Sequence, residues 1–349
     1  MTAATVSCHV LSECAVNHRP IATVGEIRAF ATCRNERLRL PAFLKHYRGL
    51  GIDRFFIIDN DSDDGTTDYL VDEPDVHVFR TSNRYSESGM GTDWLNALLG
   101  TFGVGFWCVT VDIDELLVYP GSETASLRTF TGYLDRCGYE ALLCLLLDMY
   151  PSGRLQECAY QPGDDLAAAS PYFDVGPYDK SPFNLCPGVH ISGCMRERVF
   201  HADFKTRSLA AKIYDALYYR FLSDMPGLSA HPPHRPPLLT KTPLVRWDEK
   251  SQYLKGNHAV TRKIVGPETG ALLHFKFLHD FHARAVCEAA RGEHYDGASE
   301  YRRYAERLTR DPDMTFMYEG SVRFEGTTQL VGLGLVQDTN AWVEARGRA

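Results

Sequence analysis

Between residues 25 and 115 the hydrophobic positions recur with two alternating periods. Ile27–Cys33 (IRAFATC) is an apolar run of strand length that stops at Arg34-Asn35-Glu36. Leu40, Phe43, Leu44, Tyr47 and Leu50 then fall at helical spacing, with Pro41 suited to a first turn and Gly51 to a stop. Arg54–Asp59 (RFFIID) predicts a second strand, residues 60–66 (NDSDDGT) a turn-rich loop, and residues 67–73 a short helix. Val76–Arg80 (VHVFR) predicts a third strand and residues 91–99 a helix. Residues 106–111 (FWCVTV) predict a fourth strand that runs into Asp112-Ile113-Asp114-Glu115. Such alternation implies βαβ units, so the expected class is α/β, with a mostly parallel central sheet flanked by helices.

Past Glu115 the pattern loosens. Residues 140–147 (EALLCLLL) predict a buried strand that ends at Asp148. Residues 151–188 are rich in Pro, Gly and Asp and read as loops, and residues 189–200 read as strands. The proline-rich stretch 228–243 reads as a long loop or lid. Residues 272–278 (LLHFKFL) alternate like a strand, and residues 280–294 and 298–308 look like amphipathic helices. The organisation expected is an N-terminal extension over 1–24, a regular half over 25–150, a less regular half over 151–280 and a helical region over 281–349.

Charge narrows the partners. Lys and Arg number 37 against 45 Asp and Glu, a net charge of −8, which excludes a general nucleic-acid binder. A small phosphate ligand stays open, because a divalent ion can join it to an acidic site. The ten cysteines include no CxxC pair and are too dispersed for a disulfide scaffold. Cys108 and Cys144 sit in apolar runs as small buried hydrophobes. A reduced, cytoplasmic setting is expected, with no signal peptide and no transmembrane segment, since no apolar run reaches about 18 residues.

Ligands of parallel sheets bind beyond the carboxyl ends of the strands. The polar clusters fall there: Arg34 and Glu36, residues 59–64, and Asp112 to Glu115. Asp112 and Asp114, two apart in extended chain, would share a face and hold Mg²⁺ or Mn²⁺; the alternative is a solvated acidic strand end. Residues 59–66 begin like a calcium loop, but a strand precedes them and no Glu stands at the twelfth position. They are a solvated turn or a nucleoside pocket. His274-x-Lys276 would place an imidazole and an ammonium on one strand face, as a third metal ligand and a phosphate contact or as plain surface residues. No GxSxG, GxxxxGK[ST], HExxH or GxGxxG occurs, which removes the commonest serine hydrolase, P-loop and dinucleotide readings.

The stretch CRNERLRLPAFLKHYRGLGIDRFFIIDNDSDDGT, followed by GTDWLNALLG and FWCVTVDIDELLVYP, resembles the family-2-like nucleotide-sugar glycosyltransferases of GT-A fold. LLDMYP and LLHFKFL resemble the same bacterial branch. The resemblance implies a Rossmann-like GT-A sheet, a UDP-sugar or similar donor, and Mn²⁺ or Mg²⁺ on Asp112 and Asp114, beside which His274 is the candidate third ligand. Arg34, Glu36, Asp59 and Asn60 match nucleoside-contacting positions, with Asp112 and Lys276 toward the diphosphate. Residues 25–150 would then bind the donor and residues 151–280 a glycan or lipid-linked glycan acceptor. The family usually inverts the anomeric centre, which needs a carboxylate base. Asp148, Glu197 and Asp248 are the candidates. A nucleotidyltransferase is the alternative, although Arg34-Asn35-Glu36 lacks the glycines of its loop. A non-catalytic glycan- or nucleotide-binding module is a third.

Overall fold

The computed structural model describes residues 12–13, 25–202 and 237–348. Its strands are β1 (Ser12–Glu13), β2 (Ile27–Cys33), β3 (Arg54–Asp59), β4 (Val76–Arg80), β5 (Trp107–Thr110), β6 (Glu115–Val118), β7 (Ala141–Asp148), β8 (Tyr172–Asp174), β9 (Tyr178–Pro182), β10 (Val189–Gly193), β11 (Thr240–Arg246), β12 (Val265–His274) and β13 (Ser321–Arg323). The helices are α1 (Leu40–Leu50), α2 (Thr66–Val71), α3 (Thr92–Phe102), α4 (Leu127–Cys137), α5 (Leu166–Ala169), α6 (Cys194–Phe200), α7 (Phe281–Arg291), α8 (Tyr295–Arg310), α9 (Thr327–Gly332) and α10 (Asn340–Arg346).

The protein is α/β. Nine strands form one sheet in the order β1-β4-β3-β2-β5-β11-β7-β12-β6. β2 pairs in parallel with β3 and β5, β3 with β4, and β12 with β7. β11 runs antiparallel to both β5 and β7, and β6 runs antiparallel to β12. Strands from both sides of residue 150 therefore share one continuous sheet. β3 is buried along its whole length and β7 almost so, because helices cover both sheet faces, and this is why both read as unbroken apolar runs. Gly51 ends α1 at φ 96°, a left-handed conformation that a residue without Cβ adopts freely.

Several expectations need correction. The stretch 151–188 holds a 3₁₀ turn, α5, β8 and β9 rather than loops alone. Residues 189–200 divide into β10 and the helix α6. Residues 228–236 lie outside the described residues, but the end of that proline-rich stretch is β11, an interior strand. Pro243 is tolerated there because the pairing with β7 slips between Lys241 and Leu244, where its missing N–H breaks no ladder bond. β12 starts earlier than its alternation suggested and ends at His274, so Lys276 lies beyond the strand.

Candidate active site at the strand ends

Topology collects the polar residues. β2, β3, β4, β5, β7 and β12 all end at one edge, at Cys33, Asp59, Arg80, Thr110, Asp148 and His274. The antiparallel strands contribute their beginnings to the same edge. Glu115 pairs with His274, and the start of β11 brings Lys241 alongside Cys144 of β7.

Two buried networks occupy this edge. In the first, His274 lies between two carboxylates. Its Nδ1 is 2.6 Å from Asp148 Oδ1, and its Nε2 is 3.4 Å from Asp114 Oδ2. Arg196 Nε donates to the other oxygen of Asp148 at 2.7 Å. All four residues are buried. Burial disfavours a charged His274, yet Asp114 and Asp148 outweigh it and raise its pKa. Burial likewise pushes Asp114 up, but His274, Arg284 and Lys276 hold its carboxyl well below the usual range. Asp148 is lowered despite burial by Arg196 and His274.

The second network centres on Lys241, which sequence patterning missed because it lies in the supposed loop. Its Nζ is 2.9 Å from Glu115 Oε1, 3.3 Å from Asp112 Oδ2 and 2.6 Å from Asn257 Oδ1. Glu115 Oε2 accepts the Asp112 backbone N–H at 3.2 Å, which fixes the turn between β5 and β6. Burial raises the Glu115 pKa to about 7 even though Lys241 pulls it down. Asp112 and Asp114 do not share a strand face. β5 has ended at Thr110, and the turn leaves Asp112 exposed and Asp114 buried.

Residues 34–66 form a third assembly. Arg34 Nη1 donates to the Asn60 carbonyl at 2.6 Å. Asp59 is fully buried and accepts bonds from the Ser62 and Thr67 hydroxyls, so both its oxygens hold their own loop. Asn60 Nδ2 donates to the carbonyls of Thr81 and Asn83, and its Oδ1 accepts from Arg291 at 2.8 Å. Glu36 is buried against Arg284 and Arg39. Arg39, also buried, donates to the Phe275 carbonyl at 3.1 Å and to both oxygens of Asp280. It thereby ties the start of α1 to the chain just past β12. Lys276 stands over the rings of Tyr301 and Tyr304, 4.8 and 5.6 Å from their centroids.

The three carboxylates weighed as a base separate clearly. Asp248 follows the far end of β11, where Arg246 pairs with the first residue of β5, so it lies at the opposite sheet edge. There Lys263 binds it at 2.7 Å and lowers its pKa to about 2. Asp148 has both oxygens engaged and orients His274. Glu197 is buried in α6, next to Arg196.

The donor set suits a divalent ion in part. Asp114 and His274 stand 3.4 Å apart, near the roughly 3 Å between neighbouring ligands on an ion bonded at about 2.1 Å. The Asp148 carboxylate on Nδ1 is the usual orienting partner of a ligating imidazole. Among the described residues no group of three His, Cys, Asp or Glu converges as a ready cage, and Asp112 is held by Lys241 instead. A surface groove lined by Arg128, Tyr133, Arg136, Glu344 and Arg348 lies between α4 and α10, away from this edge.

No protein-family model and no curated protein matches the chain. Among solved structures, one match is a crystal structure from Bacillus anthracis whose description names a glucose-1-phosphate thymidylyltransferase in complex with sucrose. It is 9% identical, with a TM-score of 0.23, over 40% of this chain and 64% of that one. At that similarity it carries no argument about this chain. Among the described residues no helix is long and apolar enough to cross a membrane.

Proposed function

We propose that this protein is a metal-dependent glycosyltransferase that moves a sugar from a nucleotide-sugar donor, such as a UDP-sugar, to a hydroxyl of a glycan acceptor. The observation that carries the reading is the Asp114–His274 pair at the carboxyl edge of the sheet, with His274 held by Asp148. Asp114 and His274 would hold Mn²⁺ or Mg²⁺. Such an ion, when bound, neutralises the charge that develops on a departing diphosphate.

The chain's own residues set the stage for that chemistry. Asp148 and Arg196 fix the imidazole so that Nε2 faces Asp114. Lys241 and Glu115 fix the turn that carries both Asp112 and Asp114. Lys276 lies two residues past His274, and Phe275 between them donates its N–H to the Asp114 carbonyl at 2.7 Å. The protein incubated with a panel of nucleotide sugars and Mn²⁺ should release a nucleoside diphosphate, and chelation should stop it. Release of pyrophosphate from a nucleoside triphosphate with a sugar 1-phosphate, and no turnover of the panel, would replace this reading with nucleotidyl transfer.

A further inference from the structure

The helix α7 carries two arginines seven residues apart, Arg284 and Arg291, and both cross to the first half of the chain. Arg284 reaches the Glu36 carboxylate, and Arg291 Nη2 donates to Asn60 Oδ1 at 2.8 Å. Neither arrangement uses the groups fully. Arg284 Nη1 and Glu36 Oε2 are both buried with no hydrogen-bond partner. Burial also lifts the Glu36 pKa in spite of Arg284 and Arg39, so that carboxylate is poorly compensated. Arg291 spends a guanidinium nitrogen on a neutral amide, where a doubly charged oxyanion would bind it more strongly.

The surroundings point to what would take these donors. Phe275, next to Lys276, donates its backbone N–H to the Asp114 carbonyl at 2.7 Å. The Lys276 ammonium has aromatic neighbours but no hydrogen-bond or ion-pair partner among the described residues. The ring under Lys276, Tyr301, lies 4.4 Å from that of His294 between centroids, and Glu288 binds both His294 and Arg291, which links the Lys276 and Arg291 ends of this group. Through Glu36 and Asn60 the two arginines lie at the same sheet edge as the acids of the β5–β6 turn, and Lys276 follows the end of β12 there. A phosphate chain accompanying an ion on those acids would be within the reach of these cations.

We propose that Arg284 and Arg291, with Lys276, form a diphosphate clamp. On binding, the guanidinium groups would transfer from Glu36 and Asn60 to phosphate oxygens, freeing both of those groups to face the nucleoside. This rests on the reading of the edge as a nucleotide-sugar site. It adds two binding residues that the sequence motifs do not contain.

The test is calorimetric titration with UDP and with inorganic pyrophosphate, each with Mn²⁺, on the wild type, R291Q, R291K and R284Q. R291Q is the decisive variant, because Asn60 is neutral and the carboxylate Arg291 also binds, Glu288 at 3.3 Å, keeps His294 at 3.1 Å; its melting temperature is recorded alongside. R291Q should weaken both ligands about tenfold or more, and R291K, which keeps the charge but not the fork, should recover part of that. R284Q should weaken both ligands similarly, with its melting temperature recorded because Glu36 loses its partner. Wild-type affinity for UDP and pyrophosphate in both glutamine variants would overturn the clamp while leaving the donor site standing. Failure of the wild-type protein to bind any nucleoside diphosphate would overturn the donor site and the clamp with it.

Discussion

The two acidic loops at the carboxyl edge look alike in sequence and behave differently in space. The loop after β3 spends its carboxylates mainly on neutral donors of its own turn and of the adjoining segment after β2, with Arg80 of β4 no nearer than 3.7 Å to Asp59 and Asp61. Asp59 is bonded by Ser62 and Thr67, Asp63 by Asn35, and Asp64 by the backbone N–H groups of Arg37 and Thr66. The loop after β5 meets cations from distant parts of the chain, Lys241 on Asp112 and Glu115, and His274 beside Asp114. Carboxylates satisfied by their own turn build a turn. Carboxylates faced by cations from other strands form an electrostatic site, whose ions a ligand can exchange or supplement. On the proposed reading the chemistry falls to residues 112–115 and the carboxylates of residues 59–64 are scaffolding, and substitutions can break that comparison.

The largest effect belongs to Asp114. D114A should lower nucleotide release by roughly 10³-fold or more, since transition-state charge stabilisation worth several kcal/mol is removed. Release measured with saturating donor and Mn²⁺ checks this, and retained turnover would end the metal reading.

Lys241 comes next, and its effect appears in stability. K241M leaves Glu115 and Asp112 without their cation, and breaking a buried pair from one side costs about 3–5 kcal/mol. Denaturant unfolding should show that loss, and K241M with E115Q should recover a large part of it. Equal stability of the two variants would mean that Glu115 is not what Lys241 compensates.

Asp148 follows. D148N keeps the shape but removes the charge that orients His274, which should raise the Mn²⁺ requirement about 10–100-fold with a smaller change at saturating metal. A drop in turnover that saturating Mn²⁺ does not relieve, with the Mn²⁺ requirement unchanged, would instead mark Asp148 as a proton-transfer group.

How far the sequence disclosed this site depends on where each residue lies. The strands β2 to β5 and the helices between them were legible, because each buries a regular apolar face and ends in turn residues. Asp114 and His274 were legible for the same reason, since each sits at or just past the end of an apolar strand. Lys241 was not. It sits one residue into a strand whose proline disguises it, and its ion-pair partner Glu115 lies far off in sequence. Arg284 and Arg291 were hidden in a helix that reads as ordinary amphipathic surface. What they touch is decided only when the chain returns across the sheet edge. Asp248 misled because it is as acidic and as loop-borne as the others, and the direction of β11 alone shows that it faces the wrong end.

The smallest expected effects separate the two loops most sharply, because they test the scaffolding claim by a near-silence. Asp61 is exposed and its nearest cation is Arg80, 3.7 Å away and itself partly exposed, so D61N should leave both melting temperature and nucleotide release unchanged. D59N changes a fully buried acceptor of three hydrogen bonds, from the Ser62 and Thr67 hydroxyls and the Ser62 N–H. It should cost about 1–3 kcal/mol of stability, the range for an unsatisfied buried polar group, with a modest loss of turnover that tracks the unfolded fraction. Asp112, by contrast, is as exposed in part as Asp61 yet is held by a buried ammonium. D112N should therefore change the metal and donor dependence without matching loss of stability. If D61N and D112N proved equally silent, the cations facing the second loop would not distinguish it from the first. If D59N lost turnover far beyond its unfolded fraction, the loop after β3 would carry chemistry of its own.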